Sequence, residues 1–363
     1  MTLDCIGLVL LLSLALPSAA SNTAPTLPII DVGPLVRPSA DAHARAAAIK
    51  AIGEACMNQG FFYVVNTGVD EACVERLQEC AKTFFAQPRE VKRSIEMAKA
   101  GARWRGYFEV GEEFTSGIVD EKEGLYFAAE RPEDKRPLHG ENQWPDENIT
   151  PGMRDVVLDY MDSMSCLAKA LLEAIAASIG LDATHFGKQF ADPTTLFRIF
   201  HYPPHDARWG GETFAVGEHT DYGYLTVLKQ DDSGGLQVKV GGEWIDAPPV
   251  PNSFVCNLGD ALEHNTGGLL RATPHRVRQR SAARTGRFSF PFFFDPSFDA
   301  QLTSCRHLLP LALQHAADER RKAAPKRWDG RSVELFEGTY GEYLMHKVRK
   351  VFPELSNQAL EAS

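Results

Sequence analysis

Residues 219–240 read HTDYGYLTVLKQDDSGGLQVKV and combine a short polar motif with two apolar runs. The runs Tyr224–Gln230 and Leu236–Val240 are rich in the β-branched, aromatic and leucine residues that occur in strands. Between them, residues 231–235 (DDSGG) are typical of a turn. We therefore expect β-structure here, with His219 and Asp221 at the edge of the first strand.

The same β-rich texture continues on both sides of this stretch. After Thr194, turn residues separate further short runs at Leu196–Tyr202, Phe254–Leu258, His275–Gln279 and Arg287–Phe294. This rhythm of short strands predicts a barrel or a double-sheet β-core.

Helices are predicted before and after the β-core. Apolar residues recur at helical spacing in Ala40–Met57, in a segment capped by Asp70 that runs to about Phe85, in Met153–Ile179 and in Tyr340–Val351. Short strands are predicted at Leu27–Asp31 and Phe61–Val65, and residues 100–150 as loops and short strands that cover the core. The expected fold class is α+β with a mainly β core, with flanking helices against one sheet.

The chain divides into four expected parts. They are an N-terminal extension or signal peptide (1–24), a helical and mixed region that covers the core (25–190), the β-core (191–300) and a C-terminal helical region (301–363). The apolar run Gly7–Leu16 is too short to span a bilayer, and small residues follow it as they do at signal cleavage sites, but no Lys or Arg precedes it. The expected location is cytoplasmic, with a secretory or organellar alternative if residues 1–20 act as a signal.

Composition excludes several classes of protein. The 363 residues are 44% hydrophobic and 24% charged, which is typical of a globular protein and not of a disordered or fibrous one. A net charge of -10 disfavours binding to nucleic acid. The seven cysteines are irregularly spaced and form no CxxC motif, so we expect mostly buried free thiols in a reducing compartment.

His219, Asp221 and His275 are the candidate metal ligands. Residues two apart on a strand point to the same face, so His219 and Asp221 can reach one ion, and His275 heads a later run. Two imidazoles and a carboxylate leave three positions open on an octahedral metal, which suits Fe(II) that binds a substrate and O₂. Zinc uses the same donors in hydrolases, and His264 is a rival ligand.

Arg287, Ser289 and Tyr202 form a candidate carboxylate clamp. Arg287 and Ser289 alternate on one strand within an aromatic segment, where a buried guanidinium needs an anionic partner. That partner is either a ligand or a structural acidic residue, and Tyr202 is either a helper or a core tyrosine. His201 and His205 flank a Pro-Pro turn and are expected to be structural.

Contacts to a substrate are harder to place. In the segment ARWRGYF, Arg103, Arg105 and Tyr107 are candidates for such contacts, or else solvated loop residues.

At this point the chain, from about Leu27 to Pro353, resembles the isopenicillin-N-synthase-like branch of the Fe(II)/2-oxoglutarate-dependent dioxygenases. The resemblance rests on an ordered set of segments: LPIIDVGPL (27–35), GFFYVVNTGV (60–69), EKEGLYF (121–127), NQWP (142–145), RIFHYPPH (198–205), GEHTDYGYLTVLKQDDSGGLQV (217–238), NLGDALEHNTGGLLRATPHRV (257–277), RFSFPFFFDP (287–296) and TYGEYLMHKVRKVFP (339–353).

The resemblance implies a double-stranded β-helix, or jelly roll, in which His219, Asp221 and His275 bind Fe(II). It implies that Arg287 and Ser289, with Tyr202, hold the distal carboxylate of the cosubstrate 2-oxoglutarate. The implied reaction uses O₂ to oxidise a small molecule, by hydroxylation or a related C–H oxidation, and releases succinate and CO₂. Related members often have Asn where this chain has Phe200, which removes a polar contact from that position.

Two alternatives to this function stay open. The first is an iron oxidase of the same family that does not use 2-oxoglutarate, and the second, from another class, is a zinc-dependent hydrolase. For partners we expect a small-molecule substrate, no nucleic acid, no stable membrane span and a monomer.

Overall fold

The computed structural model describes residues 26–37, 39–115, 118–132, 136–204, 214–278, 286–323 and 336–351. The expected N-terminal extension at 1–24, as well as His205 and Gln279, lies outside the described residues. Within the described ranges, none of the helices is both long enough and apolar enough to cross a membrane.

The strands are, in chain order, β1 (Ile29–Asp31), β2 (Phe61–Val65), β3 (Gly106–Phe108), β4 (Phe114–Thr115), β5 (Ile118–Val119), β6 (Glu123–Ala128), β7 (Pro193–Tyr202), β8 (Phe214–His219), β9 (Leu225–Gln230), β10 (Leu236–Val240), β11 (Glu243–Asp246), β12 (Ser253–Leu258), β13 (His275–Arg278) and β14 (Arg287–Ser297).

The α-helices are α1 (Gly33–Val36), α2 (Ala42–Asn58), α3 (Glu71–Phe85), α4 (Arg89–Lys92), α5 (Met153–Ser178), α6 (Asp260–Asn265), α7 (Leu311–Ala323) and α8 (Tyr340–Val351). Short 3₁₀ segments lie at Arg93–Ile95, Met97–Arg103, His185–Lys188 and Arg306–Leu308.

Two sheets form the β-core. The larger has eight strands in the order β1-β2-β12-β9-β14-β7-β6-β3, and the smaller has four in the order β11-β10-β13-β8. Within these two sheets the pairs are antiparallel except for β1 with β2. The core is the jelly roll with flanking helices that the sequence predicts, and β4 and β5 form a separate small pair.

Helix α5 supports the larger sheet from behind. Its apolar stripe is buried, as predicted, and it contacts β9 and β14 as well as α2 and α3. The rings of Tyr160 and Phe197, on α5 and β7, lie 5.1 Å apart. Asp70 caps α3 as predicted, because its side chain accepts a hydrogen bond from the backbone N–H of Ala72.

Two parts of the core differ from the sequence-based expectation. Part of the region expected to cover the core, namely β3 and β6, instead extends the larger sheet beside β7. Strands β8 and β11 are additional to the predicted ones. The strand expected at Tyr224–Gln230 begins one residue later, at Leu225.

Candidate active site

A cavity with about 1300 Å³ of empty space, part of it open to solvent, is lined by residues of both sheets. β7 and β14 of the larger sheet supply one wall, and β8 and β13 of the smaller sheet another. Helix α8 adds Tyr340, Leu344 and Val348 to the lining. The cavity brings together the three candidate metal ligands and the three residues of the candidate clamp.

Two strand ends and one bend place the metal-ligand candidates. His219 ends β8 and lies directly opposite His275, the first residue of β13. The alternation in the sequence predicts that Asp221 lies on a strand with His219. In the structure Asp221 instead lies two residues beyond the end of β8. Its Oδ1 is 3.9 Å from Nε2 of His219 and 3.7 Å from Nε2 of His275. The donor atoms of all three residues lie within 4.8 Å of one another.

Hydrogen bonds to backbone carbonyl oxygens orient the two imidazole rings so that their Nε2 atoms face Asp221. Nδ1 of His219 lies 2.9 Å from the carbonyl oxygen of Gly217, and Nδ1 of His275 lies 3.1 Å from that of Thr273. A carbonyl only accepts, so each Nδ1 carries the proton and each Nε2 keeps its lone pair for a metal.

The carboxylate of Asp221 is oriented in the same way. Its Oδ2 accepts hydrogen bonds from Thr226 Oγ1 at 2.5 Å and from Asn257 Nδ2 at 2.6 Å. Oδ1 is therefore the oxygen that faces the two histidines, and the remaining side of the donor set faces the cavity.

The electrostatics favour the protonation states that a metal needs. Burial lowers the pKa of His219, and burial together with His219 lowers the pKa of His275 to about 4. Burial alone would raise the pKa of Asp221, but His275 and His219 outweigh it and hold that pKa below its ordinary value. Two neutral imidazoles beside an ionised carboxylate fit Fe(II), and equally the zinc of the alternative hypothesis.

The clamp candidates lie on β14 and on its neighbour β7. Arg287 pairs in register with Tyr202, and Ser289 with Phe200. Nε of Arg287 donates to the carbonyl oxygen of Gly234 at 2.8 Å, and the guanidinium lies 4.7 Å from the ring centre of Tyr202. Nη1 and Nη2 are buried and have no hydrogen-bond partner among the described residues.

Unpaired guanidinium nitrogens in a closed site carry a large desolvation cost unless an anion fills the site. Arg287 is only 8% exposed, and no carboxylate of the described residues forms an ion pair with it. The alternative of a structural ion pair therefore has no partner within the described part of the chain. Ser289 and Tyr202 are also buried and line the same cavity, so a dicarboxylate such as 2-oxoglutarate fits this end.

The weaker candidates for substrate contacts do not line the cavity. Arg105 is 1% exposed, and its guanidinium donates at 2.6 Å to the carbonyl oxygens of Leu138 and Gly140. Tyr107 donates to Glu123, and Arg103 to the carbonyl oxygen of Ala100. These three residues hold the local chain in place, and the expectation that they face a substrate is wrong.

The rival metal ligand is also placed elsewhere. His264 lies on α6, with Nε2 3.3 Å from the carbonyl oxygen of Leu302, and it is not part of the donor cluster. His201, expected to be structural, lies 2.8 Å from Glu123 and stacks on the ring of Phe288.

Sequence reasoning missed a group of charged residues that lines the cavity beyond Phe200. Glu113, Lys122 and Arg198 are its members. Arg198 belongs to the same segment as Tyr202, and alternation along the strand places both on one face. Phe200, which stands where relatives often have Asn, lies between them with the ammonium group of Lys122 4.8 Å from its ring centre.

Comparisons with known proteins agree with this arrangement. A family model described as non-haem dioxygenase in morphine synthesis N-terminal matches residues 27–147, and the 2OG-Fe(II) oxygenase superfamily model matches residues 193–296. A full-length protein of Neurospora crassa, crystallised in complex with alpha-KG, is 26% identical with a TM-score of 0.72, over 91% of this chain and 98% of that one.

Curated relatives match most of the chain. A probable iron/ascorbate oxidoreductase of Dictyostelium discoideum is 41% identical over 92% of this chain and 97% of its own length. A 1-aminocyclopropane-1-carboxylate oxidase of the same organism is 37% identical over 90% and 95%. A homoarginine-6-hydroxylase of Arabidopsis thaliana is 32% identical over 90% and 98%.

These matches include the strands of the jelly roll and the residues of both sheets that line the cavity. They favour iron over the zinc of a hydrolase as the metal for the donor set, because the matching family is one of iron-dependent oxygenases. The chain is an oxidoreductase and belongs to the 2OG-Fe(II) oxygenase superfamily.

Proposed function

We propose that His219, Asp221 and His275 hold the Fe(II) of this dioxygenase, and that Arg287, Ser289 and Tyr202 bind the distal carboxylate of 2-oxoglutarate. The observation that carries this assignment is that the Nη atoms of Arg287, in the same cavity as the three clustered donors, have no partner in the part of the chain that the structure describes. An arginine fork matches a carboxylate with two parallel hydrogen bonds, which explains why Arg rather than Lys occupies the position.

Each residue has a separate task in this mechanism. Bound Fe(II) supplies the activation of O₂, and 2-oxoglutarate, as cosubstrate, is converted to succinate and CO₂ while the substrate is oxidised. Gly217 and Thr273 fix the imidazoles with Nε2 forward, and Thr226 and Asn257 fix the carboxylate of Asp221. The clamp orients the cosubstrate, and the aromatic lining excludes water.

We further propose that the substrate is a free amino acid or a close derivative. Two of the relatives carry names that specify amino acids, 1-aminocyclopropane-1-carboxylate and homoarginine. The buried charges of Glu113 and Lys122 and the half-buried charge of Arg198 in the cavity support a ligand with charged groups of its own.

The test is to load anaerobically purified protein with Fe(II) and to measure succinate from 2-oxoglutarate. It is run with and without a panel of the twenty standard amino acids, L-homoarginine and 1-aminocyclopropane-1-carboxylate. His219→Ala and Asp221→Ala should lose iron and at least about 100-fold of the turnover while still folding, because a metal site with two ligands is incomplete. The exposed His43→Ala is the matched control.

Three results would contradict the assignment. Unchanged succinate formation in both variants would remove the ligand roles. Oxidation of a substrate without any succinate would favour the alternative of an iron oxidase that does not use 2-oxoglutarate. Zinc at full occupancy, with no activity after addition of Fe(II), would favour the hydrolase.

We propose that the enzyme is cytoplasmic and acts as a monomer without nucleic acid. The six cysteines among the described residues are free thiols, four of them buried, which supports a reducing compartment. The net charge of -10 supports the absence of nucleic-acid binding. Cell fractionation and light scattering on the purified protein test the location and the oligomeric state.

We also propose that residues 191–300 form the catalytic core, that 25–190 cover it while adding β1, β2, β3 and β6 to the larger sheet, and that 301–363 form its C-terminal support. Limited proteolysis with mass spectrometry tests this division, and protease-resistant fragments with other boundaries would contradict it.

A further inference from the structure

A second arginine, Arg198, also lines the cavity, with its side chain 20% exposed. The guanidinium of Arg198 lies 4.2 Å from the ring centre of Tyr126 and 4.8 Å from that of Phe293. Its Nε is buried without a hydrogen-bond partner among the described residues. Its Nη1 lies 3.9 Å from Glu113 Oε1, which is too far for a hydrogen bond. Aromatic faces hold the guanidinium in place and leave N–H groups available.

The neighbouring charges do not depend on Arg198. Lys122 Nζ lies 2.8 Å from Glu113 Oε2 and also contacts Asp120. Tyr126 donates a hydrogen bond of 2.7 Å to Glu113 Oε1. Glu113 and Lys122 are nearly fully buried, and each has an opposite charge and a hydrogen-bond partner without Arg198. Arg198 is therefore the member of this cluster with the most N–H donors still available for a ligand.

Arg198 is well separated from the 2-oxoglutarate clamp. Arg198 and Tyr202 are four residues apart on the same face of β7, which corresponds to roughly 13 Å along a strand. Arg287 pairs with Tyr202, so Arg198 and Arg287 lie at different positions along one wall of the cavity. A carboxylate at Arg198 therefore does not compete with the carboxylate of 2-oxoglutarate at Arg287.

The sum of charges restricts the ligand further. The described cluster has two anions, Glu113 and Asp120, and two cations, Lys122 and Arg198, so it is neutral before a substrate binds. At the other end, the charges of Fe(II), 2-oxoglutarate, Asp221 and Arg287 also cancel. An added monoanion would leave one buried charge without compensation, which is costly. A ligand that carries one anion and one cation leaves the net charge of this cluster at zero.

We propose that Arg198 binds the carboxylate of a zwitterionic α-amino-acid substrate and that Glu113 receives its ammonium group. The inference deepens the proposed function and rests on it. A carboxylate takes two N–H donors from a guanidinium in one plane, whereas the carboxylate of Glu113 has further lone pairs for an ammonium donor. Arg198 and Glu113 thereby set specificity for the two groups that all amino acids share.

The experiment measures binding by calorimetry to the anaerobic protein loaded with Fe(II) and 2-oxoglutarate. The probes are the amino-acid panel described above. For 1-aminocyclopropane-1-carboxylate, cyclopropanecarboxylate lacks the amine and cyclopropylamine lacks the carboxylate, and matched analogues are used for any other panel member that binds. Removal of either group should weaken binding at least about tenfold, since each loses a charge-assisted hydrogen bond in a buried site.

Arg198→Gln should weaken binding of the amino acid at least about tenfold, while affinity for 2-oxoglutarate stays within about twofold. Arg198→Lys should recover part of the loss, because it keeps the charge without the fork. Arg154→Gln, at an exposed ion pair with Glu130, is the control. If Arg198→Gln does not fold, Arg198→Lys takes its place, and wild-type affinity for the amino acid in that variant would overturn the role of the guanidinium. The analogues on the unaltered protein then test the need for both charged groups.

The outcomes separate this inference from the proposed function. A protein that forms succinate from 2-oxoglutarate but binds no member of the panel would overturn the inference and the amino-acid substrate, while the assignment of Fe(II) and 2-oxoglutarate would stand. The inference would also be overturned by equal binding of an amino acid and its matched amine, or by unchanged affinity in Arg198→Gln with only a lower melting temperature. A protein that neither retains Fe(II) nor forms succinate would overturn the proposed function itself.

Discussion

Arg287 is the side chain for which a ligand is most clearly expected, because two of its nitrogens are buried and have no hydrogen-bond partner among the described residues. We predict that Arg287→Lys raises the KM for 2-oxoglutarate at least about tenfold, since an ammonium group cannot form two parallel hydrogen bonds. The same change removes the bond from Nε to Gly234. Succinate formation at varied 2-oxoglutarate measures the effect, with Arg154→Lys as the control. An unchanged KM would contradict the clamp.

Asp295 is a buried acid whose ionisation should make stability depend on pH. Its oxygens accept hydrogen bonds from Tyr340 Oη at 2.6 Å and from the backbone N–H of Tyr224 at 2.7 Å. Burial raises the pKa of Asp295 from 3.8 to about 7 despite these bonds. Between these two values the folded state binds the proton more tightly than the unfolded state. The contribution is therefore complete below about pH 4 and is lost as the pH rises through about 7.

We predict that Asp295→Asn, which cannot ionise, removes this part of the pH dependence. Between pH 5 and 7, the metal-free wild-type protein should lose on the order of 2 kcal/mol of unfolding free energy relative to the variant. Urea denaturation in the presence of a chelator measures both curves. Parallel curves for the two proteins would show that the carboxyl group is ionised throughout this range.

For individual residues, the sequence predicts a site best where the chemistry requires particular residue types at a short spacing. The two-residue spacing predicted two pairs, His219 with Asp221 and Arg287 with Ser289. All four side chains line the cavity in the structure. The contact between Arg198 and the distant Glu113 was not predictable, because it depends on the folding of the segment before β6 against β7.

Among the elements, the bend after β8 leaves no room for a larger residue at Gly223. A Cβ atom at this position would lie 1.6 Å from Oδ1 of Asp295, and one at Gly259 would lie 2.3 Å from the carbonyl oxygen of Gly223. Gly223→Ala must therefore displace the bend that carries Asp221. We predict a loss of about 3 kcal/mol of unfolding free energy, together with weaker binding of iron.

Gly187 provides the control for this substitution, since an added Cβ there has no neighbour within 4 Å. Gly187→Ala should leave both the melting temperature and the iron content close to wild type. A Gly223→Ala protein with wild-type stability and iron content would show that the bend can move without cost.

Helices and strands with a clear hydrophobic periodicity were predicted well, and those without a clear periodicity were missed. β10 and α8 have the predicted bounds, and α5 is one residue shorter than predicted. The short, partly polar β11 has no clear alternation, and only its pairing with β10 makes it a strand. β6 begins with Glu123, whose carboxylate is buried against Lys92 and His201. Glu123 also ends the charged run 120–123 (DEKE), which resembles a loop in the sequence.

For the whole molecule, α8 connects the C-terminal region to the catalytic cavity. Tyr340 reaches Asp295, and Lys347 lies 3.3 Å from Asp260. We predict that a chain ending at Gly338 keeps the three proposed metal ligands, which belong to other elements, but loses one wall of the cavity. Its iron affinity should change by less than about tenfold, its melting temperature should fall by on the order of 5 °C, and binding of amino acids should be lost.

A chain ending at Val351, which keeps α8, is the matched control. Calorimetry with Fe(II) and with the amino-acid panel, together with thermal denaturation, compares the two proteins. Wild-type affinity for amino acids in the shorter chain would show that α8 does not form part of the binding site.

The direct pairing of His219 with His275 has one more consequence. The two residues are 275 − 219 = 56 positions apart in the chain, and a single ion bound to both would close that length of polypeptide into a loop, much as a covalent cross-link does. Saturation with ferrous iron would add to the stability of the native state by mass action. The resistance of the enzyme to proteases would then rise with the concentration of ferrous iron.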